Sequence, residues 1–350
     1  MMRYDSPMKN RVRSPLAAMI LLAAFSPLLA QAGGKPLPAV ARVRSEVNLF
    51  VELHNHLQAA SRMAEDSLPE YRTEVKAYRD AKELSKDPAV MRIINSACVT
   101  ATDIASIAKV ATQLPPAMAP ADQEAARKMI GALESAWPRF HQQEGIERNR
   151  SLQAVWSRVL IKHWGLVQER LLTTLYEKFA FQPLDRQITV YPVLEPVELG
   201  ASGTTDKGYY TIIPVMKAPN LVIIEELLHE VTHVIDEHQP PGSRSLLIRL
   251  REQGSGVDPE TLDAFMHGLV SWNAGELIRR FVSADYKPLA DLSEETSEPL
   301  ARFVATYQGP WVGYLEGKIQ AEDVIKGMIS SLKPAAGAPA APVPVPKPGS

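Results

Sequence analysis

The chain of 350 residues has one cysteine, Cys98, so no intramolecular disulfide can form. In an oxidising compartment its stability would have to come from buried apolar surface, which a chain this long can supply. Charge of either sign is nearly balanced, 38 Lys and Arg against 40 Asp and Glu. No basic run stands out, which removes the electrostatic footprint expected of a nucleic-acid binder. It also removes the polybasic cluster that would seek an anionic membrane surface. The main apolar run, "LAAMILLAAFSPLLA", is interrupted by Pro27. It falls short of the roughly 20 apolar residues of a spanning helix.

That run has a different reading. Arg3, Lys9, Arg11 and Arg13 precede it and the small-residue pattern "AQAGG" follows, the three parts of a secretory signal peptide over residues 1–32. The expectation is an exported protein, periplasmic or secreted, with no stable membrane anchor after cleavage. The remaining chain has 34 basic and 39 acidic side chains, a net charge of −5. Cys98 lies in "INSACVTATDIASIA" and reads as a packing residue.

Three compositions follow one another. Residues 33–184 read as a helical region, with apolar residues at 3–4 spacing from "SEVNLFVELHNHLQAASRMAED" to "SLQAVWSRVLIKHWGLVQERLLTTLYEKFAF". Pro69, Pro88 and the Pro115–Pro120 cluster mark its turns. Residues 185–333 begin with "DRQITVYPVLEP", turn residues and "YYTIIPVM", a strand–loop–strand signal, and then return to helices. Residues 334–350, "PAAGAPAAPVPVPKPGS", read as a disordered Pro/Ala-rich tail. The fold class expected is α+β, mainly α-helical.

Chemistry concentrates in "NLVIIEELLHEVTHVIDEHQPPG", a helix with Asn220 as its cap and "QPPG" as its stop. His229 and His233 are four apart, so one face of the helix presents both imidazoles to a single metal ion. Glu230 sits about 100° round from His229. From there it can act as general base and acid toward a water activated by zinc. This is the H-E-x-x-H arrangement of zinc metallopeptidases.

A third ligand is needed. The pattern with another His six positions on is absent, because Asp236 and Gln239 occupy those places. In "TLDAFMHGLVSWNAGELIRRF" the apolar face runs Leu262, Phe265, Leu269, Trp272, and the next step lands on Glu276. A carboxylate on an apolar face is costly unless it is paired or bound to metal. Glu276 is therefore the expected third ligand, with a salt bridge to Arg279 or Arg280 as the alternative.

These residues resemble the gluzincin-like zincin metallopeptidases, which take two His from H-E-x-x-H and a Glu from a following helix. The resemblance covers about residues 185–290 and rests mainly on "HEVTH"; "NAGELIRRF" departs from the Asn-Glu-x-x-x-Asp form of the best-known members. It implies a zincin-like core, a Zn²⁺ cofactor and a peptide or protein substrate. It also implies that "YYTIIPVM" edges the cleft and receives substrate as an added strand.

Other positions are expected to support this site or stand apart from it. Tyr286, Tyr307, Tyr314, His267 and Arg280 are candidate donors to the oxyanion of a hydrolysed amide. Glu226 and Asp236 flank the two histidines and are candidates to orient an imidazole, with Glu226 also suited to the helix N-terminal dipole. His54 and His56, two apart, point away from each other on a helix and read as surface or packing residues. Trp156, Trp164 and Tyr176 read as core. Two other functions stay open: a helical exported binding or scaffold protein with a structural or decayed metal site, and a zinc amidase acting on cell-wall peptides. The N-terminal helices are candidates for a lid over the cleft.

Overall fold

A computed structural model of the protein describes residues 43–64, 68–195, 202–215, 220–289, 303–304 and 306–332. The segments read as signal peptide and Pro/Ala-rich tail lie outside the described residues. The described residues belong to one compact unit. It is mainly helical with a small mixed sheet, an α+β architecture.

The first element among the described residues is a strand, β1 (Val43–Ser45), in a region the sequence reads as helical almost throughout. Five helices follow: α1 (Leu49–Ala60), α2 (Arg72–Leu84), α3 (Pro88–Thr100), α4 (Ile104–Val110) and α5 (Pro120–Gln143). Prolines open α3 and α5, where the missing N–H costs nothing. Asn48, Asp87 and Asp103 cap α1, α3 and α4 by accepting backbone N–H bonds. Next, α6 (Gly145–Val155) passes through a π-helical stretch, Trp156–His163, into α7 (Trp164–Phe179). Wide turns of this kind are uncommon and locally re-aim side chains.

The expected strands are present as β2 (Ile188–Val193) and β4 (Gly208–Pro214), with a short β3 (Gly203–Thr205) between them in sequence. The sheet order is β1-β2-β4-β3. β1, β2 and β4 run parallel, and β3 is antiparallel to β4. "YYTIIPVM", expected to edge the cleft, meets the short β3 only at its start. Gly208–Tyr210 of β4 is paired on both sides, to β2 and to β3. Residues 203–205 are too short to stand out as a strand from sequence, yet they take the edge.

Both faces of the sheet are covered, which is why β2 and β4 read as almost unbroken apolar runs. Side-chain alternation divides them. Ile188, Val190, Tyr209 and Ile213 join the core built from α7 and the helices after the sheet. Tyr191, Val193, Tyr210 and Ile212 join the core built from α1–α5. The N-terminal helices thus form a layer behind the sheet. α1–α5 buttress β2 and β4 from the face opposite the histidine-bearing helix, whereas α7 and the π-helical stretch before it pack on that helix's side.

That helix is α8 (Asn220–Glu237), followed by α9 (Leu246–Gln253) and α10 (Pro259–Phe281). α8 packs on β4 and on α10. Its apolar side, including Ile224, Leu228, Val231 and Ile235, is fully buried. Asp258 caps α10 through the Thr261 N–H, and Pro259 takes the first position. The chain ends its described part with the helix Ala321–Leu332, which packs on α9.

Candidate metal centre

On the outer side of α8 the imidazoles of His229 and His233 meet, with Nε2 atoms 2.8 Å apart. The third side chain at this place is His267 of α10. Its ring centroid lies 4.9 Å from that of His229 and 5.0 Å from that of His233. Ring nitrogens of the three histidines all lie within 4.8 Å of one another. Donors bound tetrahedrally at 2.0–2.1 Å would be about 3.3 Å apart, so small side-chain rotations bring this set to a single ion. His229 is buried, His233 is half-buried and His267 is exposed, so the group opens toward solvent on the α10 side.

Electrostatics fits the group for cation binding. Burial, reinforced by His233 and His267, holds His229 well below its ordinary pKa. Burial also lowers His233 to about 4, with further contributions from His267 and Arg251. Burial lowers His267 as well. All three are therefore neutral at neutral pH, the form in which imidazole ligates a metal.

Glu230 stands beside this group. Burial, with Glu226 and Glu237 on its own helix, raises its carboxyl to about 8, while Thr211 of β4 acts in the opposite direction. A nearby divalent cation would favour its ionised form. Glu226, one turn earlier, is itself raised by burial. Glu226 thus adds negative potential at Glu230.

Glu276 is elsewhere, which corrects its expected role as third ligand. The apolar register holds: Leu262, Phe265, Leu269 and Trp272 are all buried, and Glu276 is buried with them. The cost of that burial is met on its own helix, where Arg279 and Arg280 both clasp the carboxylate. Geometry rules out sharing a metal with His267. Nine residues separate the two, about 13 Å along the axis and about half a turn round it.

The remaining candidates divide clearly. Tyr307 donates to the Phe265 carbonyl at 2.7 Å and Tyr314 to the Lys178 carbonyl at 2.7 Å. Tyr286 donates to Glu225, a buried carboxylate that also receives the Leu289 N–H at 3.0 Å. Arg280 is held by Glu276 and Glu316. Four of the five expected oxyanion donors are therefore engaged in packing contacts, and the fifth, His267, has joined the cluster. Asp236 binds Arg251 at 2.5 Å rather than an imidazole.

His54 and His56 are packing residues, both buried on α1. His54 Nδ1 meets the Tyr78 hydroxyl at 2.8 Å, and His56 meets Glu195 at 3.1 Å. Trp164 and Tyr176 are core, and Trp156 donates to the Ser45 carbonyl beside β1. Cys98 is fully buried and burial raises its thiol pKa, which leaves it unreactive. No helix among the described residues is long and apolar enough to cross a membrane.

The apolar periodicity of α10 points to its buried carboxylate and not to His267, which the sequence offers only as an oxyanion donor. A ligand at the mouth of a cleft occupies the opposite, ordinary-looking polar face. The available signal was modest: His267 is the one histidine on the next long helix after "HEVTH". No family model matches the chain, and no curated protein or solved structure matches it.

Proposed function

We propose that the protein is an exported zinc-dependent hydrolase of peptide bonds, with His229, His233 and His267 as metal ligands and Glu230 as general base and acid. The observation that carries this reading is the convergence of three neutral imidazoles from two helices beside a carboxylate of raised pKa. Three protein ligands are the number found at catalytic zinc sites, which keep a fourth position open. The exposure of His267 agrees with an open position facing solvent.

Bound zinc would supply Lewis acidity, polarising an amide carbonyl and bringing the pKa of water toward neutrality. The chain's own residues do the rest. The three imidazoles of α8 and α10 would hold the ion. Glu230 takes one proton from the attacking water as its oxygen bonds to the carbonyl carbon. As the C–N bond breaks, Glu230 returns that proton to the departing amine nitrogen. α8 keeps base and ligands in fixed relation because its opposite side is locked into the core against β4 and α10.

The zincin-like core belongs to the same proposal. Its support is a sheet strand packed directly against the H-E-x-x-H helix, with the third ligand on a later helix. The substrate class proposed is a peptide or protein, and export follows from the signal-like start. Zinc content and hydrolysis of fluorescein-labelled casein by the purified mature chain, beside Glu230→Gln, test the function. Stoichiometric zinc with at least a 100-fold loss in the variant supports it. Equal cleavage by the two proteins contradicts it.

A further inference from the structure

The outer edge of the sheet at β1 is open and borders an apolar groove. Backbone groups alternate sides along a strand. Glu46 donates its N–H to the Val190 carbonyl, so Arg44 and Glu46 face β2, while Val43 and Ser45 face away from it. Of the four outward groups, the Ser45 carbonyl accepts from Trp156 Nε1 at 2.9 Å. The Val43 N–H, the Val43 carbonyl and the Ser45 N–H meet no hydrogen-bond partner among the described residues. Beside them lies a cavity of about 380 Å³, walled by Trp156, Leu160, Ile161 and Trp164 of the π-helical stretch and the start of α7. An uncovered strand edge of this kind is a template for another extended chain.

The C-terminal sequence contains a segment suited to pairing on one side only. Residues 342–348 read "PVPVPKP", with Val343, Val345 and Lys347 set between prolines. Extended, such a repeat turns every N–H to one side, because each Pro lacks a donor and faces the other. Pro is tolerated in a sheet in that arrangement, on the outermost strand. Each Val and Lys is also held extended by the Pro that follows it, so docking loses little conformational entropy. We propose that residues 342–348 of the same chain add to β1 as a further strand, packed over Trp156 and Trp164. Val343 and Val345 between them supply the one N–H and the two carbonyls that the open groups of Val43 and Ser45 require. The reach agrees with this. The groove lies at the start of α7, which is 16 residues long, about 24 Å. At its far end Phe179 meets Trp311, ring centroids 5.1 Å apart, and the helix Ala321–Leu332 packs on Tyr307–Trp311. From Leu332 to Val343 the extended chain spans about 34 Å, more than the length of α7.

Hydrogen exchange of the full mature chain, read by mass spectrometry over peptides that contain Val43–Ser45, tests the pairing. The comparison is the double variant Val343→Pro, Val345→Pro. It keeps the C-terminal segment apolar and extended and removes only two N–H donors, so the core is untouched. The proposal expects the Ser45 amide to exchange about 10-fold faster in the variant, the scale of one or two hydrogen bonds. Equal exchange in the two proteins overturns it. Dilution of wild type separates the chain's own segment from that of a neighbouring copy. Protection that is unchanged on dilution supports the proposal, and protection that fades on dilution overturns the pairing within one chain. Neither reading depends on whether the protein is a hydrolase.

Discussion

The ring of His267 lies 4.9 Å from that of His229, whereas Glu276, on the same helix as His267, is clasped by Arg279 and Arg280. One helix therefore offers two plausible ligands and delivers only one of them to the site. Helix α8 sets the choice, because its packing against α10 turns position 267 toward the paired histidines. Glu276 instead serves the folded state by anchoring two arginines at the end of α10.

Chelation should destabilise the protein. A ligand present at 1,000 times its dissociation constant adds about 4 kcal/mol to a fold that binds it only when native. For a chain of this size that corresponds to a melting temperature several degrees higher with zinc than with EDTA. Differential scanning fluorimetry of the mature chain measures it. His267→Ala should shrink the difference, because two ligands bind more weakly than three.

The charge network behind the sheet should dominate the stability of the N-terminal layer. Arg148 of α6 meets the fully buried Glu52 of α1 at 2.5 Å and Glu195, just past β2, at 3.2 Å. Glu52 also accepts the Leu194 N–H at 2.9 Å. Arg148→Met leaves Glu52 buried without its counter-charge and should cost about 3–5 kcal/mol. The double variant Glu52→Gln, Arg148→Met should recover part of that loss. Urea unfolding of the three proteins provides the comparison.

Acid should weaken the fold through His54. Burial, with the charge of Lys82, lowers its pKa from 6.5 to about 3. Between those values the unfolded chain binds the proton and the native state does not. Stability therefore falls as pH falls through that window, by about 2 kcal/mol at pH 5 from this residue. His54→Gln keeps an acceptor for Tyr78 and removes the titration. Its unfolding free energy should vary less between pH 7 and pH 5 than that of wild type, and equal slopes would rule out the assignment.

Much of this architecture is legible from local pattern. The apolar runs "ITVYPV" and "YYTIIP" become β2 and β4, and the register Leu262–Phe265–Leu269–Trp272 becomes a buried face of α10. Each follows from side-chain periodicity, which is a property of one element. The parts that escape depend on how distant elements meet. β1 joins the sheet only through β2, Val43 opposite Ile188, a pairing that three residues of sequence cannot announce. The same holds for His267, whose role depends on the crossing of α8 and α10. Glu276 illustrates the complementary error, since a buried carboxylate invites a metal although arginines three and four residues away already answer its charge.

Glu276→Gln separates the two possible ligand sets by stability as well as by metal. Removing the charge leaves Arg279 and Arg280, both partly exposed, able to turn toward solvent, so the fold should lose only about 1–3 kcal/mol. Zinc affinity should be unchanged, as read by competition with a fluorescent chelator.

The most direct test is the zinc stoichiometry of purified mature protein, by inductively coupled plasma mass spectrometry, for wild type, His267→Ala and Glu276→Gln. The account predicts one zinc per chain in wild type and in Glu276→Gln, and little or none retained by His267→Ala after dialysis. Full zinc in His267→Ala together with its loss in Glu276→Gln would contradict it.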